Sequence, residues 1–305
     1  MLQLQFPKDT SPQSSQAPSP MEGWDVLKAH YHEPSLKFDV VRVTIRERLT
    51  KGNMHVFRVE LHPLDDHDAP IVGSEKVAIC KVAYGKRRAD LLKKEADLYR
   101  EKLAPLQGQW VPIIYGCYLG QTVEAWTCIL VMQDCGVPLP RPLMMLPPQL
   151  RALAIDGLHA VHKAGLEHRD FKERNIVIRK LPGGQLWLTI VDFGEAREHD
   201  CPRKDWTLEV YSLQPSSLEF GCEELWSVCC DADVWRPSTI MFYHSLYPAD
   251  WAASGTPEEF IAKAGLPEGA EMENALKHAD LVIEQYRQDR WRRRKWDDRS
   301  FTLKD

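Results

Sequence analysis

The hydrophobic pattern of the chain changes character along its length. From Val40 apolar positions alternate: Val41, Val43 and Ile45, then Val56, Val59 and Leu61 beyond a turn signal at Lys51-Gly52-Asn53. Such alternation predicts half-buried strands joined as a hairpin. Pro63–Asp68 is polar and reads as a loop. Val77-Ala78-Ile79-Cys80-Lys81-Val82-Ala83 is a short buried strand carrying one lysine, and Cys128–Met132 is another. Between them Leu91, Leu92, Leu98 and Tyr99 recur at helical spacing, predicting a helix over 88–103. Further on, Leu150, Leu153, Ala154, Leu158 and Val161 mark an amphipathic helix that stops at Gly165. Ile176–Ile178 and Leu186–Val191 flank a Pro182-Gly183-Gly184 turn. Thr256-Pro257-Glu258-Glu259 is a helix start with hydroxyl cap, early proline and returning glutamate. Met272, Leu276, Ala279, Ile283 and Tyr286 form a last apolar stripe. The whole reads as α+β, a small β-rich first part and a mainly helical second part. Residues 1–22, rich in Ser, Pro and Gln, read as a disordered tail.

Composition narrows the function classes. A 44% hydrophobic fraction in 305 residues supports a substantial core. The net charge of −5 gives no reason to expect nucleic acid as a partner of the whole molecule. Eight cysteines show neither the paired spacing of a zinc site nor a disulfide framework, so they read as reduced thiols. With no leader pattern and no long apolar run, the expected setting is the cytoplasm, with the nucleus as the alternative, and no membrane partner is expected. The basic stretch Arg287–Lys295 around Trp291 reads as a solvated helix end.

Candidate chemistry gathers in one segment. Asp170 and Asn175 lie five apart just before an apolar strand, and Asp192 follows the next strand beside a glycine. Converging carboxylate and amide oxygens suit Mg²⁺, a hard cation that retains phosphate and water as other ligands. Lys172 stands near enough to neutralise a transferred phosphoryl group. A lysine in an apolar strand, as at Lys81, is costly to bury unless it meets an anion.

His168-Arg169-Asp170 through Asn175, followed by Asp192-Phe193-Gly194, resembles the catalytic loop and metal-binding motif of the protein-kinase family. That resemblance implies a bilobal fold, with an N-lobe over about 38–136, a shortened C-lobe over about 137–286 and a basic tail over 287–305. It implies ATP and Mg²⁺ as cofactors and a protein as substrate, phosphorylated on Ser or Thr. Asp170 would be the catalytic base and Lys172 its phosphate-contacting companion. Asn175 and Asp192 would hold the metal, and Lys81 with Glu95 the α- and β-phosphates. Met132 would back the adenine pocket, and the backbone of Gln133, Asp134 and Cys135 would bond the base. Gly52 is the one glycine left in the phosphate-covering turn. His168, Arg169, Phe193 and Gly194 would be structural. So would Asp233, read as lying at the start of a helix, and the acid closing the intervening segment is either Glu219 or Glu223. A catalytically weak binding module and a small-molecule kinase are the alternatives.

Overall fold

A computed structural model describes residues 2–10, 23–32, 39–50 and 54–296, with the side chains of 289–296 excepted. The first seven strands are β1 (Gln3–Pro7), β2 (Trp24–His32), β3 (Val40–Arg48), β4 (His55–Pro63), β5 (Lys76–Tyr84), β6 (Ile114–Gln121) and β7 (Trp126–Gln133). Helix α1 (Lys86–Glu101) separates β5 from β6. The strands close into a barrel in the order β1-β2-β6-β7-β5-β4-β3. Closure depends on β1, antiparallel to β2 and parallel to β3, so both edges of the sheet are paired.

Alternation decides what fills the barrel. Val41, Val43 and Ile45 of β3, Phe57, Val59 and Leu61 of β4, and Ala78, Cys80 and Val82 of β5 all join one buried cluster with Phe6, Leu27, Tyr118, Ile129 and Val131. Each such aliphatic or aromatic side chain contributes about 1.5–3 kcal/mol when fully buried. The intervening positions of β5 and β7 face the other way, beneath α1, whose buried residues Ala89, Leu92, Glu95, Ala96 and Tyr99 follow helical spacing. Both faces of β5 and β7 are therefore covered, which explains runs that are apolar but for Lys81 in β5.

The remainder holds short strands β8 (Val137–Pro138), β9 (Leu166–Glu167), β10 (Ile176–Lys180), β11 (Leu186–Ile190), β12 (Arg197–Glu198), β13 (Thr239–Phe242) and β14 (Ser245–Pro248). Its helices are α2 (Pro148–Lys163), α3 (Ser217–Phe220), α4 (Glu223–Asp231), α5 (Asp250–Ser254), α6 (Pro257–Ala264) and α7 (Met272–Trp296). Contacts divide the chain into two compact units, one of residues 1–139 and 160–200, the other of 140–159 and 201–305. The first contains the barrel, the sheet β11-β10-β8 and the ladder β12-β9. The second has its own core of Phe242, Phe260, Ala275, Ala279, Ile283 and their neighbours. In it the capping box forms as the sequence predicts, with Glu259 N–H donating to the Thr256 hydroxyl and Thr256 N–H to the Glu259 carboxylate.

This architecture corrects the fold expectation. A closed seven-strand barrel replaces the small sheet of an N-lobe, and short strands interleave with the helices where a mainly helical C-lobe was expected. The bilobal protein-kinase-like arrangement, and the membership inferred from it, are overturned. Gln3–Pro7, read as tail, is the strand that closes the barrel, while residues 11–22 lie outside the described ones. Asp233 does not begin a helix: α4 ends at Asp231, and Asp233 follows it with φ 52°.

One turn shows how tightly the first unit is built. Gly136 has φ 112°, and a Cβ there would lie 2.2 Å from the Ile178 carbonyl oxygen on β10. Gly136→Ala is expected to destabilise the protein by at least about 2 kcal/mol, because backbone must move and φ is strained. A denaturant midpoint equal to that of the parent would contradict this packing.

Candidate functional site

Strand β5 presents Lys81 on its outer face, and α1 sets Glu95 above it. Lys81 Nζ donates to Glu95 Oε2 at 2.6 Å and to Asp192 Oδ1 at 2.6 Å. Glu95 Oε1 accepts the Phe193 N–H at 3.2 Å, so both carboxylate oxygens are engaged. Lys81 and Glu95 are 7% and 2% exposed, and this burial makes the pairing decisive. Burial alone would lower the Lys81 pKa, but the two carboxylates outweigh it and hold the ammonium charged beyond the ordinary lysine range. Burial raises Glu95, and Lys81 offsets only part of that rise. Asp192 is also pushed up by burial, yet the Lys81 charge and hydrogen bond prevail and leave its carboxyl below the usual range. Asp192 adopts φ 68°, a conformation that costs a non-glycine residue about 1–3 kcal/mol and is retained where its surroundings enforce it.

Beneath this cluster, His168 is fully buried and organises the loop. Its Nε2–H donates to the Val191 carbonyl at 3.1 Å, and its Nδ1 accepts the Asp170 N–H at 3.3 Å. Those two bonds define the neutral Nε2–H tautomer. Phe193, fully buried, packs against His168 at 4.7 Å and Tyr99 at 5.2 Å. Arg169, at φ 65°, places its Nε 3.3 Å from Glu167. Gly194 is free of crowding, since a Cβ there would meet only the Asp192 and Glu95 carboxylates at ordinary contact distance.

Asn175 donates from Nδ2 to the Asp170 carbonyl and to Asp170 Oδ2, both at 2.8 Å. Both bonds use the amide nitrogen, so Asp170 does not engage the amide oxygen. Asn175 and Asp192 both line a cavity of about 310 Å³ together with Lys81, Glu95, Ile79 and Met132. Their oxygens are donors that Mg²⁺ prefers, so the residues present fit that ion.

Several expectations change in detail. Asp170 and Lys172 are not among the lining residues; Lys172 is exposed. Arg174, which the sequence reading passed over, does line the cavity, and its Nη2 forks onto Asp170 Oδ1 at 2.5 Å and Oδ2 at 2.7 Å. Met132, Gln133, Asp134 and Cys135 do line the cavity, but Gln133 N–H already donates to the Ile113 carbonyl at 2.8 Å. Only later backbone groups of that run remain for a base edge. Asp134 is held by Arg58 Nε at 2.8 Å and accepts the Gly136 N–H at 3.0 Å. Gly52 lies outside the described residues. The Thr50 hydroxyl donates to the Met54 carbonyl at 2.7 Å and accepts the Val56 N–H at 3.0 Å. Asp233 belongs to the second unit, where its carbonyl accepts from Arg151 at 3.0 Å.

No family model and no curated protein matches this chain. Function must therefore be argued from the crevice itself. Among the described residues no helix is long and apolar enough to cross a membrane.

Proposed function

We propose that the crevice binds Mg·ATP and that the protein is a phosphotransferase passing the γ-phosphate to a Ser or Thr hydroxyl of a protein. The observation that carries this reading is Lys81, a nearly buried ammonium divided between Glu95 and Asp192 at 2.6 Å each. An arrangement in which one carboxylate is deep and the other 48% exposed at a cavity wall supports a division of labour. Glu95 keeps Lys81 aimed, while Asp192, exposed at the cavity wall, is the carboxylate that would serve a metal.

In this reading Asn175 and Asp192 hold Mg²⁺, which when bound supplies charge neutralisation along the triphosphate. Lys81 orients the α- and β-phosphates. The apolar walls of Ile79, Val56, Met132 and Val177 take the base and exclude water. Asp170, whose carboxylate is held by Arg174 and Asn175, accepts the proton of the attacking hydroxyl. Catalysis is then mainly positioning and electrostatics.

A nucleotide-binding module without turnover is the second reading, favoured by Arg174 clasping both Asp170 oxygens. Incubating the full chain with Mg²⁺, ATP and a mixed Ser/Thr protein substrate distinguishes the two. Phosphate incorporation is expected in the parent and is expected to fall about 10²–10³-fold in Asp170→Ala and Asp192→Ala. Activity surviving both changes would exclude the mechanism. Bound nucleotide with no transfer would favour the module.

A further inference from the structure

Among the described residues three cations line the crevice, and they are partnered unequally. The Lys81 side chain is 9% exposed and is divided between Glu95 and Asp192. That of Arg58 is 26% exposed and is shared by Asp134 and Glu47. Arg174 is 66% exposed, and its partner is Asp170, which lies outside the lining. Nη2 alone makes both contacts with that carboxylate, so among the described residues Nε and Nη1 hold no hydrogen bond. A guanidinium with unused N–H groups at a cavity wall is suited to a second anion.

The turn that carries Arg174 narrows the choice of anion. Residues Glu173–Asn175 form a 3₁₀ turn closed by the Asn175 N–H donating to the Lys172 carbonyl at 2.8 Å. Asn175 is 4% exposed and lines the crevice, so Arg174 adjoins one of the two residues read as metal ligands. Lys172, the cation that the resemblance assigns to the transferred phosphoryl group, is exposed and not among the lining residues. We propose that Arg174 recognises the terminal phosphate of ATP, and that this contact competes with its clasp on Asp170. The inference rests on the phosphotransfer reading. With the crevice empty or holding ADP, the base stays masked by Arg174. With ATP bound, Asp170 is released to the attacking hydroxyl.

Two features favour this exchange. An ion pair as exposed as Arg174–Asp170 contributes little to stability, so little opposes its loss. A terminal phosphate carries more charge and more acceptor oxygens than a carboxylate, and both suit a guanidinium. Because either anion can draw the same cation, the two equilibria are linked reciprocally. Removing the Asp170 charge must then strengthen the hold on the terminal phosphate, just as that phosphate unmasks Asp170. In the transfer that follows, the bond from the γ-phosphorus to the ADP oxygen breaks. The substrate oxygen bonds to that phosphorus, and its proton passes to Asp170. ADP lacks the terminal phosphate, so Arg174 then masks the base again.

Calorimetric titration of the full chain with Mg·ATP and with Mg·ADP tests this without any phosphate acceptor. The parent is expected to bind ATP more tightly than ADP. Arg174→Ala, at an exposed position where the fold is retained, should weaken ATP at least about fivefold and leave ADP unchanged. Asp170→Asn should act in the opposite sense, tightening ATP about fivefold with ADP again unchanged. Combining the two substitutions should remove that tightening. A merely structural ion pair would move neither ratio. An ATP-over-ADP preference that either single variant leaves as it was, or shifts the other way, would overturn the proposal while the crevice stays a nucleotide site. So would tightening that survives in the double variant. A parent that binds neither nucleotide would overturn the phosphotransfer reading, and this proposal with it.

Discussion

Lys81→Met is expected to cost about 3–5 kcal/mol of stability, since removing one member of a buried ion pair leaves the other uncompensated. Glu95 would keep only the Phe193 N–H as a partner in a setting where it is 2% exposed. Its carboxyl, already raised by burial, would then take up a proton, which limits the loss but removes the charge that aims the site. Adding Glu95→Leu should recover much of the stability, because two apolar groups do not carry the desolvation cost of one stranded ion. Lys76, on the same strand, is the control. It is exposed and lies 3.9 Å over the Tyr115 ring, an interaction whose loss costs about 1 kcal/mol or less. Denaturant unfolding of the three variants measures these differences. Equal losses for Lys76→Met and Lys81→Met would mean that the buried pair does not carry the site.

Asp192→Asn should separate binding from turnover. The substitution keeps size and removes one of the two anions facing Lys81. Mg²⁺-dependent phosphoryl transfer is expected to fall about 10²–10³-fold, the usual consequence of removing one well-placed electrostatic contact. ATP binding without Mg²⁺ should instead tighten several-fold, because a carboxylate no longer repels the triphosphate and Lys81 is released from it. Binding that weakens equally with and without the metal would argue that Asp192 holds Lys81 and nothing more.

The sequence made the crevice more legible than the fold around it. Lys81 was marked by its charge in an apolar strand, and Asn175 and Asp192 by oxygens at the ends of apolar strands; burial of Lys81 called for an anion, which Glu95 supplies. Strands β3, β4, β5 and β7 were visible through alternation or uninterrupted apolar runs. Three strands of the barrel escaped. β1 is five residues long and sits beside a Pro- and Ser-rich stretch; β2 buries only Leu27 fully; β6 carries glycines at 116 and 120 that blur its pattern. Those three strands turn an open sheet into a barrel, which is why the architecture was misjudged. Closure is a long-range pairing, and no local period records it. Arg174 was missed for the opposite reason: a lone arginine in a charged loop is ordinary, and only its fork onto Asp170 gives it meaning.

Calorimetric titration of the full chain with ATP, with and without Mg²⁺, tests the central claim most directly. The account predicts one saturable site, tighter with the metal than without it, and lost in the Lys81→Met, Glu95→Leu protein although that protein remains folded. Failure of the parent to bind ATP under either condition would contradict it, as would binding indifferent to both Mg²⁺ and Lys81.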